Sequence, residues 1–156
     1  MTHRGLQSHE YYMDLCLKLA KKNPKAPFAA MIVDADTGEI LSKGLNNSSL
    51  NPTLHGEVDA INNYARLHPY RPFRKTILYT TAESCPICMS AIVWARISLT
   101  VYGTSIPFLI KSGWGQITIR SQEIVNHADS FYDGKVIGGI LREQTDPLFA
   151  NGPGRK

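Results

Sequence analysis

"LHGEVDA" (Leu54–Ala60) and "AESCPICMS" (Ala82–Ser90) decide how this chain is read. The second holds Cys85 and Cys88, three apart at the start of a segment that reads as a helix from Pro86 to Arg96. Residues at that spacing share a helix face, so both sulfurs can grip one ion. A helix N-terminus also favours thiolate over thiol. Taken alone, the pair is equally open to a redox dithiol or two buried cysteines. The first stretch offers His55 and Glu57 at the start of another helical pattern, with Val58, Ile61, Tyr64 and Ala65 at helical spacing up to Leu67. His55 completes a Cys2His set with one open position, the pattern of a catalytic rather than a structural zinc. Such an ion would lower the pKa of a bound water towards ~7. Glu57, two residues on, is placed less well as a ligand than as a carboxylate that moves protons near the metal.

Outward from these stretches, helices and strands alternate. Residues 8–22 read as an amphipathic helix with Tyr12, Leu15, Cys16 and Leu19 on one stripe, ended by "PKAP". Phe28 to Gly44 reads as a hairpin turning between Asp34 and Gly38. "NNSSLNPT" is a loop, "TILYT" and "SLTVYGT" are buried strands, and "GQITIRSQEIV" (Gly115–Val125) is expected to be a further strand. A last helix is expected between Gly138 and Ala150. The alternation implies an α/β class with a sheet covered on both faces.

At 156 residues, 43% hydrophobic and 19% charged, the chain suits one domain with a real core. No apolar run approaches the ~20 residues that span a bilayer. The N-terminal stretch carries charge within its apolar pattern, as a poor signal peptide does, so no membrane partner and a cytoplasmic location are expected. Three cysteines argue against a disulfide framework, and Cys16 reads as a core residue. The net charge of +4 is scattered, as on a solvated surface; it permits a nucleic-acid partner without requiring one.

His55-x-Glu57 followed by Cys85-x-x-Cys88 resembles the zinc-dependent cytidine deaminase superfamily. The resemblance runs from Ser8 to about Gly103, and more weakly through "IGGILREQTDPLF" (Ile137–Phe149). "APFAAMIV" (Ala26–Val33) is similar to a strand of guanine deaminases, and "GLNNSSLNPTLHGE" (Gly44–Glu57) to a substrate loop shared with tRNA adenosine deaminases. Two departures stand out. Gly56 replaces the usual alanine, and Ser84 replaces the usual proline before the first cysteine, where it could cap the helix instead.

The resemblance implies a three-layer α/β/α fold around a mixed five-stranded sheet, in one domain spanning 1–156. Its core would cover about 8–103, with a divergent specificity region and C-terminal helix over about 104–150. It implies one Zn2+ per chain on His55, Cys85 and Cys88, with Glu57 as the catalytic carboxylate. Asn46, Phe28, Gly56 and Ser84 would face the substrate. Asn47 could replace Asn46 if the loop shifts by one, and Phe28 could equally be a core strand residue. His127 and Asp133 are candidates to line the pocket; His3, His9, His68 and His127 are expected at the surface rather than on a metal. Trp94 is expected in the core or at a subunit interface, and the chain is expected to form a homodimer. The implied reaction is hydrolytic deamination of a purine-type base or nucleoside, guanine first. A tRNA adenosine or a cytosine or cytidine substrate is the alternative within enzymes. A zinc-stabilised binding module without catalysis is the alternative outside them; it would have no use for Glu57.

Overall fold

A computed structural model describes residues 5–153. His3, Arg155 and Lys156 lie outside the described residues. The order is α1 (His9–Ala20), β1 (Ala29–Asp34), β2 (Ile40–Leu45), α2 (Gly56–Leu67), β3 (Thr76–Ala82), α3 (Pro86–Ala95), β4 (Leu99–Thr104), α4 (Ile106–Lys111), α5 (Ser121–Asn126), β5 (Lys135–Ile137) and α6 (Arg142–Phe149). The five strands form one mixed sheet in the order β2-β1-β3-β4-β5. β1 runs antiparallel to both β2 and β3, while β3, β4 and β5 are parallel.

Local chemistry explains the boundaries. The Ser8 hydroxyl accepts the Tyr11 N–H at 3.1 Å and starts α1. The β1–β2 turn is held by Asp34, whose carboxylate accepts the N–H groups of Asp36 and Thr37, and it closes at Gly38, where φ is +78°. Alternation along the strands then sorts the core onto two faces. Ala30, Ile32 and Leu78 meet α2, α3 and α5 through Ala60, Tyr64, Met89, Ile92 and Val125. Met31, Val33, Ile77, Tyr79 and Val101 meet α1 through Tyr12, Met13 and Cys16. The sheet is therefore covered on both faces, as the alternating elements imply.

The divergent region departs from expectation. Gly115–Val125 is not a strand: residues 115–120 are irregular and α5 follows. The alternation of Ile117 and Ile119 mimics a strand, yet both are exposed, at 55% and 40%, with no sheet edge to pair with. The fifth strand is Lys135–Ile137, three residues long and too short to show a period. α4 starts at a Ser105 N-cap with Pro107 in its first turn, where the missing N–H costs nothing. The last helix, Arg142–Phe149, falls within the expected Gly138–Ala150 segment, and the positive φ of Gly139 and Leu141 keeps the residues ahead of it out of the helix.

Candidate active site

The start of β1, the end of β2 and the C-terminal ends of β3 and β4 meet at one edge of the sheet, since Ala30 pairs with Thr80, Ala29 with Leu45 and Ala82 with Thr104. Crevices at the carboxyl ends of parallel strands are where such sheets bind ligands. Two helix N-termini point into this one. His55 is the residue before α2, and Cys85 is the residue before α3, with Pro86 at the first helical position. The approach of α2 is close. A Cβ on Gly44 would lie 2.1 Å from the Gly56 carbonyl oxygen, and one on Gly56 would lie 2.6 Å from the carbonyl oxygen of Phe28. Both glycines are there because backbone meets backbone.

His55 Nδ1 lies 3.4 Å from Cys85 Sγ and 3.5 Å from Cys88 Sγ, and the two sulfurs are 3.7 Å apart. Zn–S bonds of ~2.3 Å and Zn–N bonds of ~2.0–2.1 Å at tetrahedral angles require sulfurs ~3.8 Å apart and sulfur–nitrogen distances of ~3.5 Å. The three side chains fit zinc, and they are the one such group among the described residues. The hydrogen bond from the Cys88 thiol, with His55 alongside, holds the Cys85 thiol down at about 4. That favours the thiolate a zinc ion needs.

Glu57 is buried beside this group, 4% exposed. Burial, then the negative charge of Cys85, pushes its carboxyl above the usual range. The Ser84 hydroxyl donates to Glu57 Oε2 at 2.9 Å, so Ser84 does not cap α3; the N-cap position belongs to Cys85. His55, Glu57, Cys85 and Cys88 open onto a cavity of about 220 Å³ lined also by Ala26, Phe28, Asn46, Ser48, Glu83 and Trp114–Gln116.

Asn46 lies on that lining; Asn47 does not. Gly56 is buried at the start of α2. Phe28 reaches the cavity while packing edge-on against Trp114 at 5.1 Å and tilted against Phe149 at 4.9 Å, so it is both wall and core. His127 lines a different groove, between α3 and α5, and Asp133 is absent from the cavity. His9 bonds the Tyr79 hydroxyl and His68 the Leu41 carbonyl. Sequence reasoning missed Glu83 and the Trp114–Gln116 wall. The available signals were a carboxylate immediately before the cysteine segment and a lone tryptophan set between Gly113 and Gly115.

A tRNA-specific adenosine deaminase of Buchnera aphidicola is 38% identical over 109 residues, covering 67% of this chain and 66% of that protein. The guanine deaminase of Bacillus subtilis is 37% identical over 101 residues, covering 61% of this chain and 64% of that protein. The chain thus spans just under two thirds of the length of these two relatives. The guanine deaminase of Nitrosomonas europaea shares the fold: its structure is 24% identical, covers 93% of this chain and 84% of its own, and superposes with a TM-score of 0.77. Residues 6–104, which carry both helix N-termini and all three zinc donors, match the cytidine and deoxycytidylate deaminase zinc-binding region, and the chain belongs to that family.

Proposed function

We propose that this chain is a zinc-dependent hydrolytic deaminase of a purine-type nucleobase or nucleoside, with guanine as the first choice. The observation that carries the reading is Glu57, a buried carboxylate held beside three zinc donors at the head of a substrate-sized cavity. A purely structural metal site would gain nothing from burying it. When bound at His55, Cys85 and Cys88, zinc supplies an electrophilic centre that acidifies water. Glu57 takes the proton from the attacking water and delivers it to the exocyclic nitrogen as the C–N bond breaks and ammonia leaves. Its raised pKa suits a group that must both accept and return a proton. The Ser84 hydroxyl fixes Oε2, leaving the other carboxylate oxygen for the reaction. Asn46 and the Gly56 N–H would hydrogen-bond the base, and Phe28 would meet its ring.

The cavity is smaller than the ~300–1,000 Å³ common for drug-sized ligands, in keeping with one heterocycle. A second reading, deamination of an adenosine in tRNA, is favoured by exposed Lys21, Lys22 and Lys25, which precede Ala26 on the cavity wall, and by the Buchnera relative. We rank it second because the other cations are dispersed: Lys18 pairs with Asp14, Arg71 with Asp34, Arg120 with Glu83 and Arg142 with Asp146. Ammonia release from guanine, guanosine, adenine, adenosine, cytosine and cytidine decides, alongside inosine formation in a tRNA anticodon arm at two salt concentrations. Turnover of a free purine supports the first reading. Salt-sensitive inosine formation alone moves the assignment to tRNA.

The same reading makes the chain a cytoplasmic homodimer. Zinc ligation by Cys85 and Cys88 needs both cysteines reduced, as in a reducing compartment, and no helix among the described residues is long and apolar enough to cross a membrane. α3 is apolar on nearly every side, yet leaves Ile87 and Trp94 exposed at 43% and 73%, with the Trp94 ring against Phe131, an arrangement a second subunit would bury.

A further inference from the structure

Glu83 is 3% exposed and accepts hydrogen bonds from two places far along the chain. Its Oε1 takes the backbone N–H of Ile106, the first residue of α4, at 2.9 Å. Its Oε2 takes the backbone N–H and the hydroxyl of Ser121, the first residue of α5, at 2.9 and 2.8 Å. Arg120 Nε sits 3.0 Å from both oxygens, and its guanidinium also donates to the Tyr102 hydroxyl at 3.2 Å. One carboxylate therefore caps two helix N-termini and carries its own counter-ion, so it is a satisfied buried charge.

The consequence lies in what the two ends enclose. Ile106 and Ser121 are pinned to the same side chain, so the segment between them is closed into a loop at its base. Its interior supplies Trp114, Gly115 and Gln116, which line the cavity together with His55, Glu57, Cys85 and Cys88. Trp114 is held from the other side as well: its indole N–H donates to the Phe149 carbonyl at 2.9 Å, and its ring packs on Phe28 and Phe149. Glu83 also stands immediately before Ser84, which holds Glu57, and two residues before Cys85.

We propose that Glu83 and Arg120 are positioning residues that clip the base of the 106–121 loop, and that the clipped Trp114–Gln116 wall selects which heterocycle enters the cavity. Trp114 offers a flat apolar face and Gln116 an amide with both donor and acceptor, the combination that reads a ring and one polar edge. The proposal deepens the deaminase reading, on which the identity of the selected ring depends.

The test uses the full chain with zinc bound and a Trp94→Phe background, in which Trp114 is the sole tryptophan. Glu83→Gln removes the charge and one acceptor while keeping the shape. Expected are an unchanged zinc content, a red-shifted Trp114 emission and a clear rise in its acrylamide quenching. In turnover, KM for the best base should rise roughly tenfold or more with kcat changed less, and relative kcat/KM across the six bases and nucleosides should reorder. Gln116→Ala should reorder the same panel without moving Trp114 emission. Ser121→Ala and Arg120→Lys, milder changes that spare the fold, should shift emission and KM in the same direction by smaller amounts. Unchanged Trp114 emission and quenching in all three clip variants would overturn the proposal, as would loss of kcat and zinc with an unaltered KM. The fluorescence needs no turnover, so a mistaken substrate class leaves it intact, whereas a mistaken clip leaves the substrate panel intact.

Discussion

The Ser84 hydroxyl donates a 2.9 Å hydrogen bond to Oε2 of Glu57, across the gap between the segment that ends β3 and the first turn of α2. Two stretches 27 residues apart are thereby joined at the carboxylate that would move the proton. Both partners are buried, Ser84 at 1% and Glu57 at 4% exposure, so water does not substitute for the bond.

Ser84→Ala should therefore lower kcat by roughly tenfold, the scale of one hydrogen bond to a charged group, while zinc content stays the same. Steady-state kinetics with metal analysis checks this. An unchanged kcat would show that Glu57 is oriented by its backbone alone.

Gly56→Ala should destabilise the chain by about 1–3 kcal/mol, the usual cost of overpacking. Alanine would gain up to ~1 kcal/mol of helix propensity, less at a first helical position. The clash decides the sign: the added Cβ meets the backbone carbonyl of Phe28 at 2.6 Å, which no rotamer relieves. Since α2 begins there, His55 and Glu57 would move with it, and zinc affinity should fall too. Thermal unfolding with and without a chelator measures both effects.

How far the site could be read from sequence follows from how far its parts are separated. His55, Glu57, Cys85 and Cys88 announce themselves because each pair lies within one helical turn, and the helix itself fixes their spacing. The α1, β1–β2, α2, β3 and α3 patterns were legible for the same reason. Glu83 was not, because its donors come from Ile106, Arg120 and Ser121 and leave no local signal. The strand expected over 115–125 failed through the same residue: Glu83 caps Ser121 and starts a helix there, while Ile117 and Ile119 alternate without a neighbouring strand. Ser84 looked like a cap because serine commonly is one. Only the fold brings Glu57 within its reach.

Cys88→Ala should lose most bound zinc, because two donors of the three cannot close a stable site. Cys88 is a metal donor 1% exposed on α3, so the same change should lower the unfolding temperature relative to the zinc-loaded wild type. The chelated wild-type protein should unfold near the temperature of the variant. Full zinc occupancy in the folded variant would remove Cys88 from the ligand set.

If Glu57 moves the proton at a zinc centre built from His55, Cys85 and Cys88, Glu57→Gln should stop turnover and spare the metal. Glutamine keeps the shape and can still accept from Ser84, but it cannot take up a proton at neutral pH. Metal content and ammonia release should be measured on the same preparation with the best substrate of the panel. Expected are about one zinc per chain, as in the wild type, and turnover reduced by roughly 10²–10⁴-fold or more. Wild-type turnover in the zinc-loaded variant would contradict this role for Glu57.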